Sequence, residues 1–164
     1  WHAVFTASRA EKKVRDRLEE LGVECFLPVQ TVLRQWTYRK SRVVVPVIAG
    51  LMFVRVGRQE QVKVLQTKGV VAFLRLKGEA GAAVIPDKQM EDFRFLLDFS
   101  EEAVEMTNEN IKAGDLVRVM KGSLRGMEGE LIRHKGVTKV LVRIDMLGCA
   151  MVNIPASFVE KLNK

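Results

Sequence analysis

A short apolar run bounded by glycines constrains the fold more than any other feature of this sequence. Leu51-Met-Phe-Val-Arg-Val56 is rich in β-branched and aromatic residues and is flanked by Gly50 and Gly57. A run of this length and composition indicates a largely buried strand in the middle of a sheet. The residues before it, 34–47, begin as a basic arm and become apolar. We therefore expect a solvated basic hairpin leading into a central strand, and we predict that this strand and the turn before it form a docking surface.

The distribution of charge indicates two domains. The chain has 164 residues and a net charge of +7, which allows one or two domains. Both ends are basic, whereas residues 100–111 hold four glutamates and no basic residue. Two basic domains joined by a short acidic linker is the simplest description. A basic chain favours a polyanionic partner, nucleic acid first, and a basic protein without such a partner stays an alternative.

Residues 1–99 alternate between strand and helix patterns. Ser8 is a candidate N-cap with Glu11 as its capping-box partner, and Gly22 is a candidate C′ glycine that ends the same helix. In order, the patterns predict a strand over 1–6, that helix, a short strand over 23–27 and a hairpin with arms 29–36 and 42–47 and its tip at 37–41. The central strand follows. After it the patterns predict a short helix within 59–68 closed by Gly69, a strand over 70–76 and a helix from Asp87. Such alternation predicts one sheet flanked by helices, an α/β sandwich.

The pattern changes after the acidic linker. Residues 116–120, 130–134, 140–144 and 151–154 read as four short strands separated by glycine-containing turns. Several short strands in about 50 residues predict a small β-barrel over 112–164. The fold class predicted for the whole chain is therefore α+β, with domains at 1–99 and 112–164 and a linker at 100–111.

Two groups of residues could contact nucleic acid. Arg9, Lys13 and Arg17 are spaced at i, i+4 and i+8, so they would share one helix face. This stripe is either a solvated surface or a ridge that faces phosphates. Trp36 and Tyr38 lie among basic residues of the hairpin and are either cross-strand packing or stacking platforms for unpaired bases.

The sequence offers little support for an enzyme. It holds two histidines that are far apart, no cluster with metal-ligand spacing, no nucleophile elbow and no phosphate-binding P-loop. We therefore predict no catalytic residue, no metal and no cofactor. Cys25 and Cys149 fit reduced thiols better than a disulfide framework.

Targeting signals are equally scarce. A run of about 18 apolar residues, the length that a membrane helix needs, is missing from the sequence, as is a signal peptide pattern. A cytoplasmic location without membrane contact is therefore expected. The chain starts at Trp1 rather than Met, so further residues are expected before it.

Three stretches together carry a family resemblance. Trp1 to Val14 resembles the opening of the NusG N-terminal (NGN) domain, and Val47 to Val54 resembles that family's central strand and preceding turn. Residues 114–122 followed by 126–131 are similar to a KOW motif, which is found in SH3-like barrels. The 23–28 segment and Arg34-Gln-Trp36 resemble the specialised paralogues, RfaH and above all the UpxY-type regulators of surface-polysaccharide operons.

The resemblance implies a non-enzymatic regulator of transcription elongation. It implies binding to the clamp of the largest subunit of RNA polymerase, processive antitermination of a long surface-polysaccharide operon, contact with the non-template DNA strand of the transcription bubble, and recruitment of a ribosomal protein or termination factor by the KOW domain. A KOW-containing RNA-binding protein of the ribosome or its assembly is the alternative, and an enzyme acting on nucleic acid is a third reading.

The resemblance also assigns residues to these contacts. The clamp-binding patch falls on Phe5, Ile48, Leu51 and Phe53, which could instead be ordinary core residues. The DNA-facing positions fall on Arg9, Lys13, Arg17, Thr67 and Lys68. The KOW partner loop falls on Met146 and Leu147, which could instead cap the barrel. The chain departs from the family pattern at Ala49-Gly50-Leu51, where Pro-Gly-Tyr is usual. It also lacks the His-Thr-Thr element of RfaH near residues 60–62.

The resemblance to RfaH raises the question of refolding. The C-terminal domain of RfaH can form a helical hairpin, whereas this chain has Gly114, Gly122, Gly126 and Gly129 close together. Each glycine costs about 1 kcal/mol in a helix interior relative to Ala. We therefore predict a stable β-barrel that does not refold.

Overall fold

The computed structural model describes residues 1–162, which fold into two compact units of an α+β protein. The first unit is Trp1–Pro86, and the second begins at Asp87. The helix that starts at Asp87 is thus grouped with the second unit, whereas the sequence assigned it to the end of the first. The domain limits at residues 99 and 112 stay predictions.

The first unit has the predicted order of elements. They are β1 (His2–Thr6), α1 (Glu11–Glu20), β2 (Glu24–Phe26), β3 (Val29–Gln35), β4 (Lys40–Pro46), β5 (Leu51–Arg55), α2 (Gln61–Leu65) and β6 (Val70–Phe73). Four strands form one antiparallel sheet in the order β2-β5-β1-β6, so β5 is internal, as its apolar composition predicts. Within residues 1–162, strands β3 and β4 pair only with each other, as a separate hairpin.

Helices α1 and α2 supply the core on one face of this sheet. Val14 and Leu18 lie one turn apart on α1 and are fully buried, together with Val64 of α2. They belong to the same cluster as Val4 and Met52, which are paired across β1 and β5. Burying a side chain of this size contributes about 1.5–3 kcal/mol, so this stripe fixes where α1 lies.

The start of α1 differs from the prediction. The helix begins at Glu11 with Ala10 as its N-cap, no side chain caps it, and Arg9 has a positive φ of 60°. The predicted capping box between Ser8 and Glu11 is therefore wrong, because Glu11 makes a tertiary contact described below. The predicted end is confirmed: Gly22 follows the helix with φ 76°.

The second unit consists of one helix and a small barrel-type β-domain. Its elements are α3 (Asp87–Phe99), β7 (Glu105–Thr107), β8 (Asp115–Val119), β9 (Glu128–His134), β10 (Val137–Ile144), β11 (Gly148–Asn153), a 3₁₀ turn (Ala156–Phe158) and β12 (Val159–Lys161). All six strands are antiparallel, in the order β12-β8-β9-β10-β11-β7. The four predicted strands are present. Two more, β7 and β12, were not predicted, and β7 lies inside the stretch expected to be a linker.

Close backbone approach shapes this domain at β7. A Cβ on Gly148, which has φ 112°, would lie 2.0 Å from the carbonyl oxygen of Thr107. Lys139 is buried, and its ammonium donates to a carboxylate oxygen of Glu105 at 2.8 Å. This interaction lowers the pKa of Glu105 from its ordinary value. Pairing matters here because a buried ammonium without a partner would be strongly destabilising.

Candidate functional site

The predicted clamp-binding residues of β1 and β5 lie in one row. Phe5 is the cross-strand partner of Leu51, and Phe53 lies two residues further along β5 on the same face. Phe5 is 39% exposed, whereas Leu51 is 2% exposed and Phe53 is fully buried. Only Phe5 in this row thus offers much surface to a partner in the conformation described. Leu51 and Phe53 have the burial of core residues.

The turn before β5 is held by two backbone contacts with distant segments. The N–H of Thr6 donates to the carbonyl of Gly50 at 2.9 Å, and the N–H of Gly50 donates to Oε1 of Glu11 at 3.0 Å. Glu11 is buried, and Gly50 has φ 72°, a conformation that glycine adopts readily. Ile48, the fourth predicted residue, is partly buried in this turn. Glu11 is a positioning residue that sequence reasoning missed, because only the tertiary fold brings it to Gly50.

A second group of side chains lies where α1 meets the segment before β6. The guanidinium Nη1 of Arg17 donates to the carbonyl oxygen of Lys68 at 2.7 Å. The approach is close: a Cβ on Gly69 would lie 2.7 Å from a methyl group of Val14. Lys13 is exposed one turn before Arg17, and Lys68 is exposed as well. The structure therefore brings together Lys13, Arg17 and Lys68, a basic group formed by two segments.

Two members of the predicted nucleic-acid set do not join this group as expected. Arg9 precedes the helix and has a positive φ, so the i, i+8 spacing to Arg17 on one helix face is not realised. Thr67 is buried, and its hydroxyl donates to the carbonyl of Lys63 at 2.8 Å. Its hydroxyl is thus used within the fold. Arg9 is exposed beside the start of the helix.

The loop predicted to meet a partner of the C-terminal domain is a tight turn. The N–H of Leu147 donates to the carbonyl of Ile144 at 3.1 Å, and Met146 has φ 70° and is exposed. Asp145 is joined to helix α3 twice: its N–H donates to Oε1 of Gln89 at 2.8 Å, and Nε2 of Gln89 donates to its carboxylate at 2.9 Å. Met146 is therefore presented to solvent from a loop that is tied at its base.

The described residues contain no arrangement suited to catalysis by a metal or by a thiolate. No group of three or more His, Cys, Asp or Glu side chains could hold a metal ion within residues 1–162. Cys25 and Cys149 are both free. Burial, with the nearby Glu19 carboxylate, raises the pKa of Cys25 to about 11, and burial also raises the pKa of Cys149. Both thiols are therefore protonated at neutral pH and poor nucleophiles.

The helices were also compared with the needs of a membrane span. Within the part of the chain that the structure covers, no helix is both long and apolar enough to cross a bilayer.

Comparison with protein families gives the decisive observation. The family model described as "Transcription termination factor nusG" matches residues 1–94, which include β1, α1, the hairpin and β5. The chain belongs to the NusG family. Members of this family are non-enzymatic transcription factors that bind RNA polymerase, so this NusG-family chain is a factor of transcription elongation or termination.

One solved structure supports the fold of this chain. A structure described as "Domain interaction in Thermotoga maritima NusG" is 22% identical, with a TM-score of 0.52, and the alignment covers 99% of this chain and 97% of that one. A structure of the MjSpt4:Spt5 complex is 17% identical over 99% of this chain and 97% of that chain, with a TM-score of 0.26. A search of curated proteins found no significant match.

Proposed function

We propose that this NusG-family chain binds the clamp of the largest subunit of RNA polymerase and promotes processive antitermination of a long surface-polysaccharide operon. The observation that carries the proposal is the family match over residues 1–94, which spans the whole row formed by Phe5, Leu51 and Phe53. The sequence likeness of Val23–Pro28 and Arg34–Trp36 to UpxY-type regulators supports the choice of operon. The proposed site of action is the cytoplasm.

The polymerase dock consists of Phe5, Ile48, Leu51 and Phe53. Phe5 makes the direct contact, because it is the exposed member of the row. Leu51 is the partner of Phe5 on the neighbouring strand, and Phe53 lies two residues further along that strand. Together they fix the position of the Phe5 ring. Ile48 extends the patch along the turn that Glu11 and Thr6 hold in place. An exposed aromatic on a rigid sheet suits a binding hot spot, since little side-chain entropy is lost on docking.

The non-template DNA strand is the second proposed contact. Lys13, Arg17 and Lys68 form the basic group that faces it, with Arg9 at its edge. The Lys68 carbonyl already holds the guanidinium of Arg17 in place. Binding a phosphate with the remaining N–H donors therefore costs less side-chain entropy. Thr67 contributes to this contact through its backbone, which positions Lys68, because its hydroxyl is hydrogen-bonded to the Lys63 carbonyl.

The C-terminal domain recruits a further factor through Met146 and Leu147. The partner is a ribosomal protein or a termination factor. Met146 offers an exposed, adaptable apolar side chain on a tied loop, which suits a contact of moderate affinity. Met146→Asp should weaken capture of such a partner while the domain stays folded, and Met120→Asp, at another exposed methionine of the same unit, is the matched control.

An elongation assay tests the function as a whole. Purified core polymerase is walked along candidate leader templates that end in a terminator, with and without the protein. Increased read-through on one leader and not on a scrambled one supports operon-specific antitermination. Binding to polymerase with unchanged or increased termination would contradict antitermination and leave the family assignment intact. Binding to ribosomal subunits in place of polymerase would favour the ribosomal alternative.

A further inference from the structure

The β3–β4 hairpin carries an aromatic and basic surface that neither the polymerase dock nor the α1 basic group uses. Its tip is a tight turn in which the N–H of Trp36 donates to the carbonyl of Arg39 at 2.7 Å. Tyr38, inside this turn, is 97% exposed, and Trp36 is 48% exposed. The hairpin pairs with no other strand in the described part of the chain, so its tip is not covered by a sheet.

Two arginines lie near Trp36 in the hairpin. Arg34 lies in β3, two residues before Trp36, which follows directly after the end of that strand at Gln35. The turn hydrogen bond sets Arg39 opposite Trp36. Ser41, the partner of Arg34, accepts a hydrogen bond from the indole N–H of Trp36. The indole nitrogen is thereby satisfied within the hairpin, and the ring is held with part of its surface in solvent.

The charge of the hairpin is one-sided. Arg34, Arg39, Lys40 and Arg42 are all exposed, and the sequence holds no Asp or Glu between Glu24 and Glu60. A hairpin stabilised by cross-strand ion pairs would alternate signs, which this one does not. Like charges this close repel each other, which is tolerable only in solvent or beside an anion.

We propose that this surface binds single-stranded nucleic acid, with Trp36 and Tyr38 stacking on unpaired bases and Arg34 and Arg39 holding the adjacent phosphates. Exposed aromatic rings set among basic side chains are the means by which proteins bind single strands without reading sequence. Simple packing does not account for Tyr38, whose side chain is almost wholly in solvent. The stacking and phosphate contacts are shared by RNA and DNA, and the experiment distinguishes them.

The two tryptophans of the chain allow a direct test. Only two indole N–H signals are expected in a ¹⁵N spectrum, and Trp36→Phe assigns them. Single-stranded oligonucleotides of about 12 nucleotides, within the site sizes of single-strand binders, are titrated as RNA and as DNA of the same sequence, beside the duplex. The Trp36 signal should shift with one or both single strands, whereas the signal of the buried Trp1 should stay in place. The larger response identifies RNA or DNA as the ligand.

Variants separate stacking from charge. Tyr38→Ala should weaken binding about tenfold, and Tyr38→Phe, which keeps the ring, should bind nearly as well as the parent. Arg34→Gln and Arg39→Gln should each reduce the salt slope of single-strand binding by about 0.7. Lys88→Gln, at an exposed residue of α3 outside both proposed nucleic-acid surfaces, is the charge-matched control that should leave the Trp36 shift unchanged.

Three outcomes would overturn the proposal. Duplex binding as tight as single-strand binding would reduce the hairpin to a non-specific basic surface. Equal affinity of Tyr38→Ala and the parent, with no Trp36 shift, would exclude stacking. Loss of polymerase binding in Tyr38→Ala without any oligonucleotide binding by the parent would make the hairpin a protein contact.

Discussion

The carboxylate of Glu11 accepts a hydrogen bond of 3.0 Å from the backbone N–H of Gly50, 39 residues further along the chain. The contact ties the first residue of α1 to the turn that precedes the central strand. Glu11 is buried, so solvent cannot replace it as the acceptor. The geometry of the proposed polymerase dock therefore depends on a helix that does not itself belong to the dock.

Replacing Glu11 tests this dependence. Glu11→Ala leaves the partly buried Gly50 N–H without its acceptor, and a donor left without a partner inside a protein costs about 1–3 kcal/mol. We expect the free energy of unfolding, measured with urea, to fall by this amount. Glu20→Ala, at an exposed position of the same helix, should change it by less than about 0.5 kcal/mol. Equal stability of both variants would show that the contact holds nothing in place.

Phe5 provides the clearest test of the polymerase dock. Phe5→Asp removes the exposed aromatic of the row and should lower polymerase binding at least tenfold in a pull-down, with little effect on folding. Val71→Asp, at an exposed position of β6, is the control and should bind normally. Leu51→Asp is a poor test of binding, because a charge at a 2% exposed position should unfold the domain. Full binding by a folded Phe5→Asp protein would refute the dock.

The basic group of α1 should show itself in the salt dependence of DNA binding. Lys13→Gln removes one phosphate contact, so the slope of log affinity against log salt should fall by about 0.7 for a single strand. Arg17→Gln should lower the slope similarly, and it should also loosen the Lys68 backbone that it now holds. Lys88→Gln, at an exposed residue paired with Asp92 on α3, is a charge-matched control. Unchanged slopes for both variants would leave Lys13 and Arg17 as a solvated surface.

Two glycines with positive φ test whether the C-terminal domain depends on its β-geometry. Gly148→Ala would bring a Cβ within 2.0 Å of the Thr107 carbonyl, whereas Gly136→Ala meets nothing within 4 Å. Both incur left-handed strain of about 1–2 kcal/mol. We expect a clearly larger fall in melting temperature for Gly148→Ala, because β7 must also move.

The same domain gives a test of refolding. Backbone chemical shifts of the full chain should be those of strands over residues 116–144, as in the isolated domain. Helical shifts there would contradict the prediction of a permanent β-barrel.

For the glycine variants, equal melting temperatures of Gly148→Ala and Gly136→Ala would show that β7 contributes little to this barrel.

The sequence predicted elements where local chemistry determines structure. Gly22 follows the end of α1 with the positive φ that glycine favours, as expected. Gly69 does not close α2 as predicted, because that helix ends at Leu65 with Gln66 as its C-cap. The beginning of α1 was wrong because Arg9 leaves the helical region and Glu11 bonds to a distant turn instead of to Ser8. Strand β7 was missed because three residues in an acidic stretch carry no alternation, and only pairing with β11 defines them.

The functional residues were predicted less evenly. The Phe5–Leu51 row follows from strand register, which a sequence pattern can suggest. The sequence pattern does not predict how deeply each of these residues is buried. Leu51, Phe53 and Thr67 are buried, although their residue types also occur at exposed binding sites. The contact of Arg17 with the Lys68 carbonyl joins segments 51 residues apart, and no local signal could have shown it.

Two hydrogen bonds join Gln89 of helix α3 to Asp145, at the base of the loop that carries Met146. Movement of this loop away from α3 would break them. Opening that loop would break the hydrogen bond of the Asp145 amide, whose hydrogen would then exchange with solvent deuterium in proportion to the fraction of time that the loop is open. A factor that captures Met146 with the loop as it stands would slow this exchange, and one that must first pull the loop away would accelerate it. A single amide proton thus distinguishes a preformed recruitment surface from one that its partner has to make.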